Sequence, residues 1–300
     1  MAERASPGTA SGVLLTIMTP MSGALDWLAV GDVAEERGPD GSAILGGGAA
    51  RLAAHAAALR ARIALVAKVG DDDTGRRVRD ALERLKVDLR WLRSGGAMPT
   101  TVWHEPDGQP QRRRVERGAD LTLRLDELPP PSVPAALTVV SGYSLSVEPA
   151  RSAALGALAG ARARGARAAL LIEADLLWWT NARMMRRVLE PALASVDSVA
   201  LQTLDARVLF GAVSGREAVR LVAAMGPRVV YLAEADGSVV LREGGRIHGC
   251  PADRTAGAPK DRYAGAAAFW VGLARQAPAR KAAADSVRYA QSVRRPGPRL

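Results

Sequence analysis

Cysteine is nearly absent. Cys250 is the only one in 300 residues. The chain can therefore close no internal disulfide, and a lone cysteine gives no signal for a metal site or a nucleophile. We read Cys250 as a small buried apolar residue. That economy suits a reducing, cytoplasmic setting, which is the expected location. Phenylalanine and tyrosine are scarce as well, at 2 and 4 residues. Acid is in deficit: 31 Asp and Glu face 41 Lys and Arg, for a net charge of +10. The densest basic run, Gln111 to Arg117, is short, carries Glu116 and has no aromatics interleaved as base-stacking platforms. The excess charge is therefore assigned to solvated helix faces and to a cleft for anionic small molecules, not to nucleic acid. No run reaches the roughly 18 apolar residues of a membrane span. The apolar stretch Gly12 to Met18 lacks a strong basic flank and a clear cleavage site, so no secretory signal is assigned. The three histidines, His55, His104 and His248, lack metal-ligand spacing.

What is present is a globular composition, 48% hydrophobic and rich in Ala, Arg and Gly. The length fits one large α/β domain or two small ones. Residues 1–24 read as a loose leader, native or an extension, since Met18 and Met21 could each start translation. Asp26–Val33 and Ile63–Val69 read as buried strands. Helices are expected over Ala49–Arg60, after Gly46-Gly47-Gly48, and over Thr74–Leu85, after the turn and cap residues Gly70-Asp71-Asp72-Asp73. Further strands fall at Leu137–Val140, Ala168–Ile172, Ser198–Leu201, Arg228–Leu232 and Ser238–Arg242. Helices are expected near Leu204–Phe210, Tyr263–Gln276 and Arg280–Val293. Alternation of this kind implies a mainly parallel sheet covered on both faces. Between them, Thr101 to His104 and Arg112 to Val115 flank Pro106-Asp107-Gly108 as a β-hairpin, a lid near residues 98–118. The pair Trp178-Trp179 reads as packing.

Five patterns in this order carry a resemblance. They are Gly46-Gly47-Gly48-Ala49-Ala50-Arg51, Val69-Gly70-Asp71-Asp72-Asp73-Thr74-Gly75, Arg117-Gly118-Ala119-Asp120, Ser141-Gly142-Tyr143 and Arg294-Arg295-Pro296-Gly297. Together they resemble the PfkB or ribokinase-like carbohydrate kinases, from about Asp26 to Gly297. The resemblance implies an α/β ribokinase-like fold of three layers over residues 25–300, with a small β-lid. It also implies ATP and Mg²⁺ as cofactors, and transfer of a phosphoryl group to a hydroxyl of a sugar, nucleoside or related small molecule. Homodimers through the lid are expected on the same ground, and no nucleic-acid or membrane partner. The alternative is a kinase-derived module that binds a ligand or a partner without phosphoryl transfer.

The same resemblance assigns the site. Asp261 falls where the family keeps a carboxylate base, at the end of a Gly-Ala-Gly-Asp segment that here reads Ala258-Pro259-Lys260-Asp261. Pro259 has no N–H and Lys260 replaces a glycine. Lys260 either substitutes a point charge for lost donors or marks a decayed anion site. A second register would set Thr255-Ala256-Gly257-Ala258 as the phosphate loop. Ala256, Gly257, Ala258 and Gly237 are the expected nucleotide contacts. Gln202 and Asp205 stand where an Asn-x-x-Glu segment serves the Mg²⁺ network, with Asp205 as the expected metal ligand. Glu35 or Glu36 stands near the family's first-strand Asp. Together with Gly46, Gly47, Arg51 and His104, Glu35 makes up the expected substrate site. Arg51 replaces an Asn, and a guanidinium grips carboxylate or phosphate where Asn would accept from a sugar hydroxyl. The substrate is therefore expected to be anionic.

Overall fold

The computed structural model describes residues 24–104, 114–295 and 297–300. The expected leader up to residue 23, the hairpin turn at Pro106-Asp107-Gly108 and the basic residues Arg112 and Arg113 lie outside them.

Apolar, β-branched runs form the centre. Strands β1 (Leu25–Val30), β4 (Ile63–Val69), β8 (Ala135–Ser141), β9 (Arg167–Leu171), β10 (Ser198–Gln202) and β11 (Val229–Ala233) are parallel, with β5 (Leu92–Ser94) parallel at one end. β12 (Val239–Glu243) and β13 (Arg246–Cys250) add antiparallel at the other, giving the order β13-β12-β11-β10-β9-β8-β1-β4-β5. Alternation along β1 divides the core: Trp27 and Ala29 face one apolar cluster, Leu28 and Val30 the other. On the first side lie α1 (Gly48–Ala58), α2 (Asp73–Arg84), α7 (Ala264–Ala274) and α8 (Ala279–Ser292). On the second lie α3 (Ala150–Ala163), α4 (Ala182–Leu193), α5 (Thr203–Phe210) and α6 (Gly215–Ala224). α7 is apolar all round, as a helix packed between sheet and neighbours must be. The expected three-layer fold with a parallel centre is what the chain adopts. Among the described residues no helix is long and apolar enough to cross a membrane.

The lid is larger than the sequence suggested. The expected hairpin is present as β6 (Thr101–His104) and β7 (Arg114–Glu116), paired antiparallel. Two further strands complete a four-stranded sheet of order β3-β2-β6-β7, namely β2 (Ala34–Arg37) and β3 (Ala43–Gly46). The chain end lies along β3: Leu45 N–H donates to Pro298 O at 2.8 Å and Leu300 N–H to Ala43 O at 3.0 Å. Asp72 ties this sheet to the body. It caps α2 by accepting from Gly75 N–H at 2.8 Å, and also accepts from Thr100 N–H at 3.0 Å. Gly47, at φ 87°, makes the turn from lid into α1, where a Cβ would sit 2.8 Å from Asp32 O. Cys250 is free and buried, and Trp178 and Trp179 are core, Trp178 stacking on Trp103 at 5.4 Å.

Candidate active site

In an open parallel sheet, ligands bind beyond the carboxyl ends of the strands. Here that rim gathers Asp32 after β1, Glu173 after β9, the loop before α7, and the lid. The loop comes first. Asp253 N–H donates to Gln291 Oε1 at 3.0 Å, and Gln291 Nε2 donates back to the carbonyls of Asp253 and Gly257 at 2.8 and 3.1 Å. α8 thus clamps the start of the loop. Gly257, at φ 75°, makes its turn, whereas neither Ala258 nor Lys260 has positive φ. The lost glycines therefore leave no backbone strain, which settles a cost the sequence left open. Ala256, Gly257, Ala258 and Lys260 are exposed, and Pro259 is half-buried against Gly237, whose own Cβ position lies 2.8 Å from Pro259 Cδ.

Beyond the loop the chain dives inward at Asp261, whose side chain is fully buried. Oδ1 accepts from Tyr263 N–H at 2.9 Å. Oδ2 accepts from Arg51 Nε at 3.1 Å and Arg51 Nη2 at 2.6 Å, and lies 2.7 Å from His55 Nε2. Burial alone would push this carboxyl up. The His55 hydrogen bond and the Arg51 charge outweigh it and hold Asp261 below the usual carboxylate range. Arg51, 3% exposed, also donates from Nη1 to Glu36 Oε2 at 3.0 Å and to Leu45 O at 3.1 Å. His55 Nδ1 lies 3.0 Å from the Tyr289 hydroxyl. The result is one chain, Tyr289–His55–Asp261–Arg51–Glu36, buried at its centre and half-buried at both ends, joining α8, α1, the loop and the lid. The first-turn position of Arg51 and the i+4 spacing of His55 put both on one face of α1. The guanidinium is buried beneath the lid, where it grips the protein's own carboxylates.

Several assignments need correction. Glu35 does not face a ligand: its carboxylate is taken by Arg37 and by Arg77 on α2, and it is Glu36 that reaches Arg51. His104 stays within the lid, 3.2 Å from Glu116 Oε1 across the β6–β7 pair, and has no part in the Arg51 cluster. Gly46 and Gly47 act by close packing, the first against the backbone of Ala34 and Glu36, the second against Asp32. Asp205 is buried and saturated: it accepts from Ala174 N–H at 2.9 Å and Gln202 N–H at 2.8 Å and faces Arg262 Nη2 at 3.4 Å. It caps α5 and offers a hard cation no free oxygen, so it does not fit a direct Mg²⁺ ligand. Among the described residues no group of three or more His, Cys, Asp or Glu is placed to hold a metal. Gln202 donates its amide to Arg262 O at 3.0 Å and so also braces the loop. Glu234 accepts from Thr203 Oγ1 at 2.6 Å.

Reading the sequence missed two buried carboxylates. Asp32 accepts from Gly48 N–H at 2.8 Å and Ala49 N–H at 3.2 Å, at the amino terminus of α1. Glu173 accepts from Ser141 Oγ at 2.9 Å and Tyr263 Oη at 3.1 Å, in space that a Cβ on Gly48 would occupy. Burial raises both, and the neighbouring Asp32 charge adds to burial in bringing Glu173 to about 8.

This geometry has relatives. Residues 18–297 match the model of the pfkB family carbohydrate kinases. The chain belongs to that family. It is 30% identical over 236 residues to a fructokinase of Klebsiella pneumoniae, covering 74% of this chain and 75% of that one. A Vibrio cholerae fructokinase structure with fructose, ADP and calcium superposes with a TM-score of 0.77 at 21% identity, over 88% of this chain and 90% of that one. An aminoimidazole riboside kinase from Salmonella enterica, solved with its riboside and an ATP analogue, gives 0.76 at 18% identity over 88% and 90%. The general chemistry of the pfkB family is ATP-dependent phosphotransfer.

Proposed function

We propose that this protein phosphorylates a hydroxyl of an anionic small molecule, a sugar acid, sugar phosphate or similar polyol, at the expense of ATP. The observation that supports the reading is the Arg51 bridge between Glu36 and Asp261. A guanidinium so placed meets any substrate entering beneath the lid, and it prefers a carboxylate or phosphate over a neutral hydroxyl. An arriving anion draws Arg51 off Asp261 and leaves His55 Nε2 as the one remaining partner of Oδ2 among those described. Asp261 then accepts the hydroxyl proton as the substrate oxygen bonds to the transferred phosphorus. The exposed 256–260 loop ahead of α7, with Lys260 at its end, fits the phosphate end of a nucleotide. ATP supplies the phosphoryl group when bound. No step is assigned to Mg²⁺, because Asp205 does not fit it. The reading includes pairing of two chains through the lid, along β7, since the chain end already covers β3; sedimentation at micromolar protein tests it.

The four hydrogen bonds that Arg51, His55 and Tyr263 close on Asp261 favour a second reading, a binding module without transfer. The two part on one experiment. Calorimetry with ATP–Mg²⁺ is followed by ADP release across matched neutral, carboxylated and phosphorylated sugars and nucleosides, with Asp261→Asn as control. ADP release confined to anionic members and lost in Asp261→Asn supports the kinase. Absence of turnover across the whole panel replaces it with the module.

A further inference from the structure

A cavity of about 280 Å³ opens on the opposite face of the sheet from α1 and α7. Its floor is Leu28 and Val30 of β1 with Thr138 of β8, and the prolines Pro129, Pro130 and Pro131 form one wall. Thr138 pairs with Leu28 in mid-strand, and the prolines lead into the amino end of β8, so the cavity lies toward the end of the strands away from Asp32 and Glu173.

Two facts make it more than a packing gap. The first is how the space arises. Gly156 and Gly160 line it from α3, one turn apart; Leu125 packs against Gly156, whereas the position beside Gly160 stays open where a side chain would fill it. A Cβ on Gly160 would meet nothing nearer than Arg164 Nη1, at 3.3 Å. Glycine in a helix interior is a destabilising choice, and here it keeps the space open. The second is what faces the space. Thr138 is fully buried and its hydroxyl has no hydrogen-bond partner; the Nε–H of Arg164 is buried and likewise unpartnered. Both residues line this one cavity. Buried polar groups are as a rule satisfied, and two orphans converging on one apolar space call for a ligand that satisfies them. Burial also lowers the guanidinium of Arg164 in the absence of an acid beside it.

We propose that this cavity binds a small apolar monocarboxylate. The carboxylate pairs with the guanidinium of Arg164, Thr138 donates its hydroxyl to the same head group, and the hydrocarbon body lies against Leu28, Val30, Leu128 and the prolines. The volume admits a chain of modest length, in the range of the smallest ligand pockets. The site uses none of the residues that hold Asp261, so its occupancy is independent of the phosphotransfer reading.

Titration calorimetry with hexanoate, hexanol and hexylamine tests it on the full chain. Hexanoate should bind saturably, and hexanol and hexylamine should not. Arg164→Gln, which removes the charge and leaves a shorter polar side chain, should weaken hexanoate about 10-fold or more. Gly160→Leu, which fills the space and favours the helix, should abolish it. Circular dichroism of each variant, with ATP–Mg²⁺ titrated in parallel, verifies that the fold and the other site are intact. Failure of hexanoate to bind the folded wild type at millimolar concentration means that water alone satisfies Thr138 and Arg164, and overturns the proposal. Equal binding of hexanol, or hexanoate binding that neither substitution alters, overturns it as well.

Discussion

At the scale of the residue, the buried Arg51–Asp261 pair carries a stability cost when broken. Both side chains are buried, at 3% and 0% exposure. Removing one partner strands the other charge, which typically costs about 3–5 kcal/mol, whereas replacing both with apolar groups costs far less. Arg51→Met should therefore destabilise strongly in urea titrations, and Arg51→Met with Asp261→Leu should recover most of the loss. An equal loss in both variants would show that Arg51 acts through packing alone. Acidity separates two carboxylates. Asp261 is held below its ordinary value, so it stabilises the fold above the normal carboxylate range and loses that contribution as pH falls through its lowered value. Glu173 lies the other way. Raised from 4.5 to about 8, it stays protonated while the unfolded chain ionises, so stability declines across that interval as pH rises. Glu173→Gln should flatten the decline between pH 5 and about 8, as followed by thermal unfolding. An unchanged slope would place the titration elsewhere.

At the scale of the element, strands and long helices were legible because period and punctuation agree in them. Ile63–Val69 was read to the residue, and the cap at Asp72 follows from its acid-rich turn. β2 and β3 escaped notice because Ala34–Arg37 and Ala43–Gly46 are short, and their pairing comes from the lid rather than from any alternation of their own. The loop before α7 could be placed but not judged. Its backbone proves unstrained, so the question moves to Lys260. If its charge replaces the missing donors, Lys260→Ala should lower kcat by about 10²–10³. If the loop is inert, Lys260→Gly with Pro259→Ala should instead raise activity. Steady-state rates on one accepted substrate distinguish them.

At the scale of the whole molecule, the fold could be read and half of the site could not. Asp261 and Arg51 were located by pattern, yet nothing local says that residues 210 positions apart share a hydrogen bond. His55 lacks metal-ligand spacing, and its i+4 spacing from Arg51 is the one available sign of its place in the cluster. Glu173 and Asp32 gave no sign, because their partners come from β8, α1 and α7 only after folding. The molecule that results is a pfkB-family scaffold in which the buried Arg51 guanidinium rests on the Asp261 carboxylate. The most direct test compares kcat/KM for an anionic substrate and its neutral counterpart in wild type and in Arg51→Asn. The account predicts a strong preference for the anion in wild type and its collapse or reversal in Arg51→Asn. A preference that survives the substitution unchanged would contradict it.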